Sequence, residues 1–428
     1  MNTTKSILSK DFILMSIGQI ISLFGNLILR FALPLYLLNQ TGSSTLFGII
    51  SAISFIPMIL LFPVGGVIAD RLNKRNIMVA LDFSTSVLVF LFSVLIGKFE
   101  IVPLIAISMI ILYSIQGAYQ PTVKASIPVL VDTKYLMQAN SVVDIISSLA
   151  NMIGPVIGGL LFSLVGLKPI LFISIACFFL SAVMEMFLQI PFERKEKQRN
   201  ENMLAMGLKD IKESFKFMFQ YKPAIWKMCI TYGSVNLLLC ALFIIAMPVL
   251  LTQVLGFQKE FANQLYGYAE GVIAVGSILG GLLAGILAKK LKTTSIPYLI
   301  IGCAFSILAG GMALQFLTSS IAIYIVLVAG CSVLMVLTSL FQVQMMSYIQ
   351  ILTPNDLIGK VISCVICFCM CSSPIGQFLY GLVFEHIGNY TYIPFYAASL
   401  VTIVIGLLSF SIYSKIGIEI RQQIEELN

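Results

Sequence analysis

Charge is what this sequence has least of. Only 11% of its 428 residues are Asp, Glu, Lys or Arg, against about 25% in a soluble domain. So few charges cannot cover a water-soluble fold of this length, and a mean hydropathy of +0.99 argues the same way. Apolar residues make up 59% of the chain and run continuously instead of alternating, which excludes a β-barrel. Histidine is almost missing, His386 being the only one. No metal-ligand spacing and no phosphate-binding loop accompany it, so the sequence offers no enzyme chemistry, no cofactor and no metal site. All nine cysteines fall inside hydrophobic runs, which excludes a secreted disulfide framework. "CVICFCMC" puts Cys364, Cys367 and Cys371 on one helical face; without imidazole partners they read as small packing hydrophobes.

Apolar length is what the sequence has instead. A spanning helix needs about 20 such residues. Runs of that length lie at roughly 12–38, 45–69, 77–97, 102–122, 139–165, 169–190, 225–251, 263–288, 296–317, 320–346, 358–385 and 390–413. This predicts an all-α polytopic membrane protein of twelve spans. "MNTTKSILSK" is short and polar with no small-residue cleavage site after it, so the first run is expected to be retained. A net charge of +7 could suggest a nucleic-acid partner, but its placement follows topology. With the amino terminus inside, only Lys98, Lys168 and Lys259 fall on outer loops, and basic loops stay cytoplasmic. Both termini are therefore expected in the cytoplasm, in a bacterial cell membrane.

One soluble stretch, "PFERKEKQRNENMLAMGLKDIKESFKFMFQYKP", separates spans 6 and 7. Leu208, Ile211, Phe215, Met218 and Phe219 share a helical face, with Lys209, Lys212, Glu213 and Lys216 on another, which predicts an amphipathic interfacial helix. The expected domains are a six-helix bundle over 1–190, a linker over 191–224 and a second bundle over 225–428. The halves look duplicated. "GGVIA" (65–69) recurs as "GGLLA" (280–284), and "GLLFSLVG" (159–166) as "GLVFEHIG" (381–388). Two matches in corresponding order predict pseudo-symmetric bundles.

"GGVIADRLNKRN" (65–76) concentrates charge between spans 2 and 3. Glycines at a span's end let a neighbouring helix approach, and an aspartate there can pair with a cation or a helix N-terminus. Gly66, Asp70, Arg71, Lys74 and Arg75 resemble the loop 2–3 signature of the major facilitator superfamily, Gly-x-Leu-Ala-Asp-Arg-x-Gly-Arg-Lys. Asn73 replaces the second glycine and is expected to take the same positive φ. The resemblance covers essentially the whole chain. It implies the twelve-helix major facilitator fold and places Asp70 and Arg71 in a cytoplasmic gate against span 11.

In "NMIGPVIGG" (151–159), Pro155 removes a backbone hydrogen bond and kinks span 5. Gly154, Gly158 and Gly159 thin one face so that a neighbour can slide past. Gly-Pro-x-x-Gly-Gly resembles the signature of superfamily exporters that exchange substrate for protons, with a looser copy, "SSPIGQFLYG" (372–381), in span 11. Drug antiporters of the superfamily usually carry an arginine in span 4, three residues before Gln-Gly. Here Tyr113 precedes Gln116–Gly117. Residues 118–141 and 352–363 are similar to macrolide efflux permeases and siderophore exporters.

Ionisable side chains inside a membrane are functional candidates: here Arg30, Asp82, Asp144, Glu185 and Glu270. Asp82, Asp144 and Glu185 lie near the cytoplasmic ends of their spans and are expected to pair with loop lysines and arginines. Asp144 is the best coupling candidate of the three, because span 5 should line the pathway. Arg30 and Glu270 come from opposite halves: the resemblance implies that they pair as an outer gate, and the alternative is that each finds a separate polar partner within its own half. Polar residues in spans prefer the protein interior, which nominates Gln19 and Asn26 in span 1, Tyr113 and Gln116 in span 4 and Asn151 in span 5. Asn236 in span 7 and Gln342 and Gln344 in span 10 join them as cavity candidates. The 30 Phe, 19 Met and 16 Tyr suit an adaptable apolar chamber. The function expected is export of a lipophilic, macrolide-like molecule in exchange for protons, by alternating access, in a monomer. Export or import of a siderophore, lysolipid or nutrient is the alternative, and a non-transporting receptor the third reading.

Overall fold

A computed structural model of the chain describes residues 9–132, 135–190, 212–287, 292–354 and 357–427. Within a bilayer every backbone polar group must be satisfied internally, and each apolar run does so as a helix. The helices are α1 (Lys10–Thr41), α2 (Ser44–Arg71), α3 (Lys74–Leu95), α4 (Ile101–Leu130), α5 (Leu136–Val165) and α6 (Leu167–Met186). After the linker come α7 (Pro223–Val254), α8 (Lys259–Leu287), α9 (Ile296–Phe316), α10 (Ser320–Leu352), α11 (Ile358–His386) and α12 (Ile393–Leu427). Among the described residues, twelve helices are thus long and apolar enough to cross a membrane. Ser9, Ser43 and Ser319 cap α1, α2 and α10 by accepting the N–H of Phe12, Leu46 and Ala322.

Asn73 corrects an expectation. Its φ is −64°, not positive, and its side chain caps α3 by accepting from the Arg75 N–H at 3.0 Å. The second glycine of the signature is here replaced by a residue that starts the next helix. Consequently Asp70 and Arg71 belong to the last turn of α2.

Packing divides the chain into two compact units. The first comprises Met1–Glu196 and Pro248–Gly271, and the second Lys197–Met247 and Val272–Asn428. In the first, α1 is central: 61% of its apolar stretch is buried, against 22% for α5. It packs on α5 and α6, while α2 packs on α4 and α3 on α6. Phe12, Met15, Met78, Tyr119, Val123 and Ile127 form one end of this core. In the second unit α7 is central, with 72% of its stretch buried; α9 packs on α10 and α12, and α11 on α7.

The repeated sequence segments make matching contacts inside their own units. A Cβ on Gly65 of α2 would lie 2.8 Å from Ala118 Cα of α4, and one on Gly280 of α8 would lie 2.7 Å from the Val336 carbonyl of α10. Gly154 of α5 abuts Leu27 of α1, and Gly376 of α11 abuts Leu237 and Ala241 of α7. The second repeat ends in both copies on a glycine at positive φ, Gly166 at 75° and Gly388 at 57°.

Leu208 and Ile211, on the apolar face expected in the linker, lie outside the described residues. Of the rest of that face, Phe217–Tyr221 form a π-helical turn and Phe219 is exposed. Met218 is buried, Phe215 stacks on Phe219 at 5.9 Å, and Phe219 lies 4.2 Å from Trp226 of α7. On the polar side, Glu213 pairs with Lys360 of α11 at 3.1 Å.

Candidate functional site

The glycines of α5 face two ways. A Cβ on Gly154 would stand 2.7 Å from Leu27 Cβ, and one on Gly158 3.3 Å from Phe31 Cδ1, so this side of α5 lies directly on α1. On the other side, a Cβ on Gly159 would come within 2.8 Å of Gly267 Cα, and one on Gly267 within 2.9 Å of the Pro155 carbonyl. Gly271 continues the contact against Val156. Backbone meets backbone here, which only glycine allows.

Polar ties hold the segment Pro248–Gly271 in this position. Ser163 donates to the Glu260 carbonyl at 2.8 Å and accepts from Gln264 at 3.0 Å. Asn39 of α1 donates to Asn263 at 3.1 Å, and Gln253 donates to the Gly42 carbonyl at 3.1 Å. Phe31 stacks on Tyr266 with ring centroids 4.8 Å apart.

Arg30 follows directly on this helix face. Its guanidinium carbon lies 4.2 Å from the Tyr113 ring centroid and 5.9 Å from that of Phe55, whose ring is 4.8 Å from Tyr113. Arg30 of α1 thus rests its charge on the ring of Tyr113, three residues before Gln116–Gly117 of α4. Among the described residues no ion pair within 4.0 Å joins Arg30 to Glu270, and Glu270 instead has Tyr266 one turn away on its own helix. The direct pair read from the sequence is not made in this conformation.

Two of the three inner-end acids depart from expectation. Asp144 does pair with a lysine, Lys124 of α4, at 3.6 Å, with both side chains largely exposed. Asp82 and Glu185 pair with no lysine or arginine among the described residues. Both are buried, because their helices turn them inward onto α1 and α4. Ser22 donates to Asp82 Oδ1 at 2.9 Å, and Tyr119 donates to Glu185 Oε1 at 2.7 Å. Tyr119, Ser22 and Ser181 are residues that the sequence reading passed over. The available signal was a stripe of small residues on each helix: Gly18, Ser22 and Gly25 on α1, and Ser174 and Ser181 on α6, one turn before Glu185. The stripes interlock through Ser181 to the Gly18 carbonyl at 2.9 Å and Ser174 to the Gly25 carbonyl at 3.2 Å.

The other cavity candidates scatter. Gln19 and Asn26 of α1 are buried with amide atoms lacking a hydrogen-bond partner, as is Gln344 of α10. Gln116 is half-buried, and Gln342 is exposed. Asn151 is exposed and bonds back to the Ser147 carbonyl at 2.8 Å. Asn236 opens a π-helical turn, Asn236–Cys240, in α7, where its amide donates to the Tyr232 carbonyl at 3.1 Å. Of the gate signature, Lys74 and Arg75 are half-buried at the start of α3 and Gly66 is part of α2; the side chains of Asp70 and Arg71 lie outside the described residues.

Known proteins resemble this chain in sequence and in fold. The family model of the Major Facilitator Superfamily matches residues 15–376. Macrolide efflux protein A of Streptococcus pyogenes is 24% identical over 382 residues, covering 87% of this chain and 88% of its own. The staphyloferrin A transporter of Staphylococcus aureus is 24% identical over 306 residues, covering 69% and 70%. Among solved structures, a D-xylose-proton symporter superposes with a TM-score of 0.68 at 14% identity, over 92% of this chain and 96% of its own, which is a likeness of fold.

Proposed function

The chain belongs to the Major Facilitator Superfamily, and from that premise we propose that it is a secondary active exporter of a lipophilic, macrolide-like molecule, driven by proton antiport. The observation that carries this reading is the glycine face of α5, wedged between α1 and the segment 259–271 of α8. Helices in such backbone contact can part and re-engage as rigid rods, which alternating access requires. Two six-helix bundles, 1–190 and 225–428 on either side of the linker, are the rocking bodies. The α5–α8 interlock closes one face of the pathway and the Asp70–Arg71 turn of α2, with Lys74 and Arg75, latches the other. Arg30 on Tyr113 and the buried amides of Gln19 and Asn26 are the polar candidates for substrate contact in the first unit, and the buried amide of Gln344 is one in the second. Glu270, Asp144 and the remaining amides, Gln116, Asn151, Asn236 and Gln342, stay candidates for coupling and substrate contact.

The substrate class follows macrolide efflux protein A. The staphyloferrin A transporter supports a second reading, carriage of a siderophore-like metabolite. No metal or cofactor enters either reading. Expression in a macrolide-sensitive bacterium tests the first. The native chain should raise resistance to erythromycin and lower its accumulation in the cell, and an uncoupler should abolish the difference. Asp70→Asn should behave as the empty host does. Accumulation raised by the native chain would instead mark an importer.

A further inference from the structure

We propose that Asp82 and Glu185, a carboxyl pair bridged by hydroxyls inside the first unit, form the site that takes up and releases the transported proton. The inference rests on the reading that a proton gradient drives transport, and it assigns to that gradient a place in the fold.

Four helices meet there. Asp82 comes from α3, Glu185 from α6, Tyr119 from α4 and Ser22 from α1. Asp82 is 2% exposed and Glu185 0%. One oxygen of each acid accepts from a hydroxyl, Ser22 at 2.9 Å and Tyr119 at 2.7 Å. Ser22 also lies beside Tyr119, and Ser181 beside Asp82, so hydroxyls line the space between the two acids. The second oxygens, Asp82 Oδ2 and Glu185 Oε2, have no hydrogen-bond partner. Gln19, fully buried and one turn before Ser22 on α1, also leaves both amide atoms without a partner.

The charges do not balance without a ligand. The titratable groups in the cluster are the two acids and Tyr119; α1 contributes Gly18, Gln19 and Ser22, none of them ionisable. No lysine or arginine among the described residues lies within ion-pair distance of either acid. A buried carboxylate survives only when paired or neutralised, and a second one beside it compounds the cost. A structural interior would need no such pair. A metal ion would want a third acid, thiol or imidazole, and the described residues hold no group of three. A proton needs only one carboxylate oxygen, and serine and tyrosine hydroxyls, which both donate and accept, can pass it between the two acids. Uptake forms one O–H bond on a carboxylate oxygen and release breaks it; nothing else is made or lost.

Helix α1 ties the cluster to the moving parts. A Cβ on Gly18 would touch Glu185 Cγ at 3.5 Å, and further along the same helix Leu27 and Phe31 carry α5. A change of charge at the acids therefore acts on the helix against which the glycine face of α5 rests.

The test pairs a substrate-free readout with a transport one. Purified protein in liposomes is titrated between acid and alkaline pH by infrared difference spectroscopy. The protonated-carboxyl band of the native chain should titrate. It should lose a component in both Asp82→Asn and Glu185→Gln, and shift its midpoint in Tyr119→Phe, which keeps both acids. In everted vesicles, both acid variants should lose uphill accumulation of radiolabelled erythromycin while erythromycin–erythromycin exchange persists. A carboxyl band identical to the native one in all three variants overturns the proposal, as does uphill accumulation intact in both acid variants. If the native chain moves no erythromycin, the drug reading fails and the infrared titration still decides the proton site.

Discussion

Arg30 rests its charge on the face of an aromatic ring, and that contact gives Tyr113 a role in the core of the first unit. A guanidinium over a ring is worth about 0.5–2 kcal/mol, the upper end when desolvated. The ring is what matters, not the hydroxyl. Tyr113→Phe should therefore keep the thermal midpoint and transport of the native protein, whereas Tyr113→Ala should lower both. Arg30→Lys should fall between them, because an ammonium is compact and cannot lie flat on the ring. Thermal unfolding of the purified variants and drug accumulation in cells expressing them measure the two effects. Equal behaviour of Tyr113→Phe and Tyr113→Ala would remove the ring from the account. At this scale the sequence was least informative. It showed which polar residues lie in spans, yet helix rotation decides which meet. Asp82 and Glu185 look like interfacial acids in one dimension, and only the packing of α3 and α6 on α1 turns them inward.

Helices α2 and α8 make the same kind of contact in their own units, and this permits a paired test. Gly65 meets α4, and Gly280 meets α10, each at less than 3 Å from a hypothetical Cβ. Since backbone atoms stand in the way, a side chain there must push the helices apart, at about 1–3 kcal/mol. Gly65→Val and Gly280→Val should lower the thermal midpoint by similar amounts. A large effect of one and none of the other would speak against equivalent roles. On α5, Pro155→Ala restores an N–H for the Asn151 carbonyl and removes the ring that crowds it. The variant should be as stable as the native chain or more so, and should transport more slowly, as followed by initial rates in vesicles.

Element positions were readable because twelve apolar stretches each exceed a bilayer's thickness. Their ends were not. α4 runs to Leu130, α10 to Leu352 and α12 to Leu427, beyond the apolar runs that announced them, because a helix continues past the lipid wherever its hydrogen bonds do. The π-helical turns at Asn236–Cys240 and Leu250–Val254 left no mark in hydropathy. Pro248, two residues before the second, is the only local signal.

For the molecule as a whole, duplication, glycine interlock and an acid pair in one unit compose a single account. In the function proposed above, a gradient drives the carrier to alternate access by parting α5 from its neighbours. Everted membrane vesicles with an acid interior test it most directly. Vesicles from cells making the native chain should concentrate radiolabelled erythromycin, lose it on addition of an uncoupler, and fail to concentrate it at all when Gly159→Val blocks the approach of α8 to α5. Accumulation unaffected by the uncoupler, or equal in native and Gly159→Val vesicles, would contradict the account.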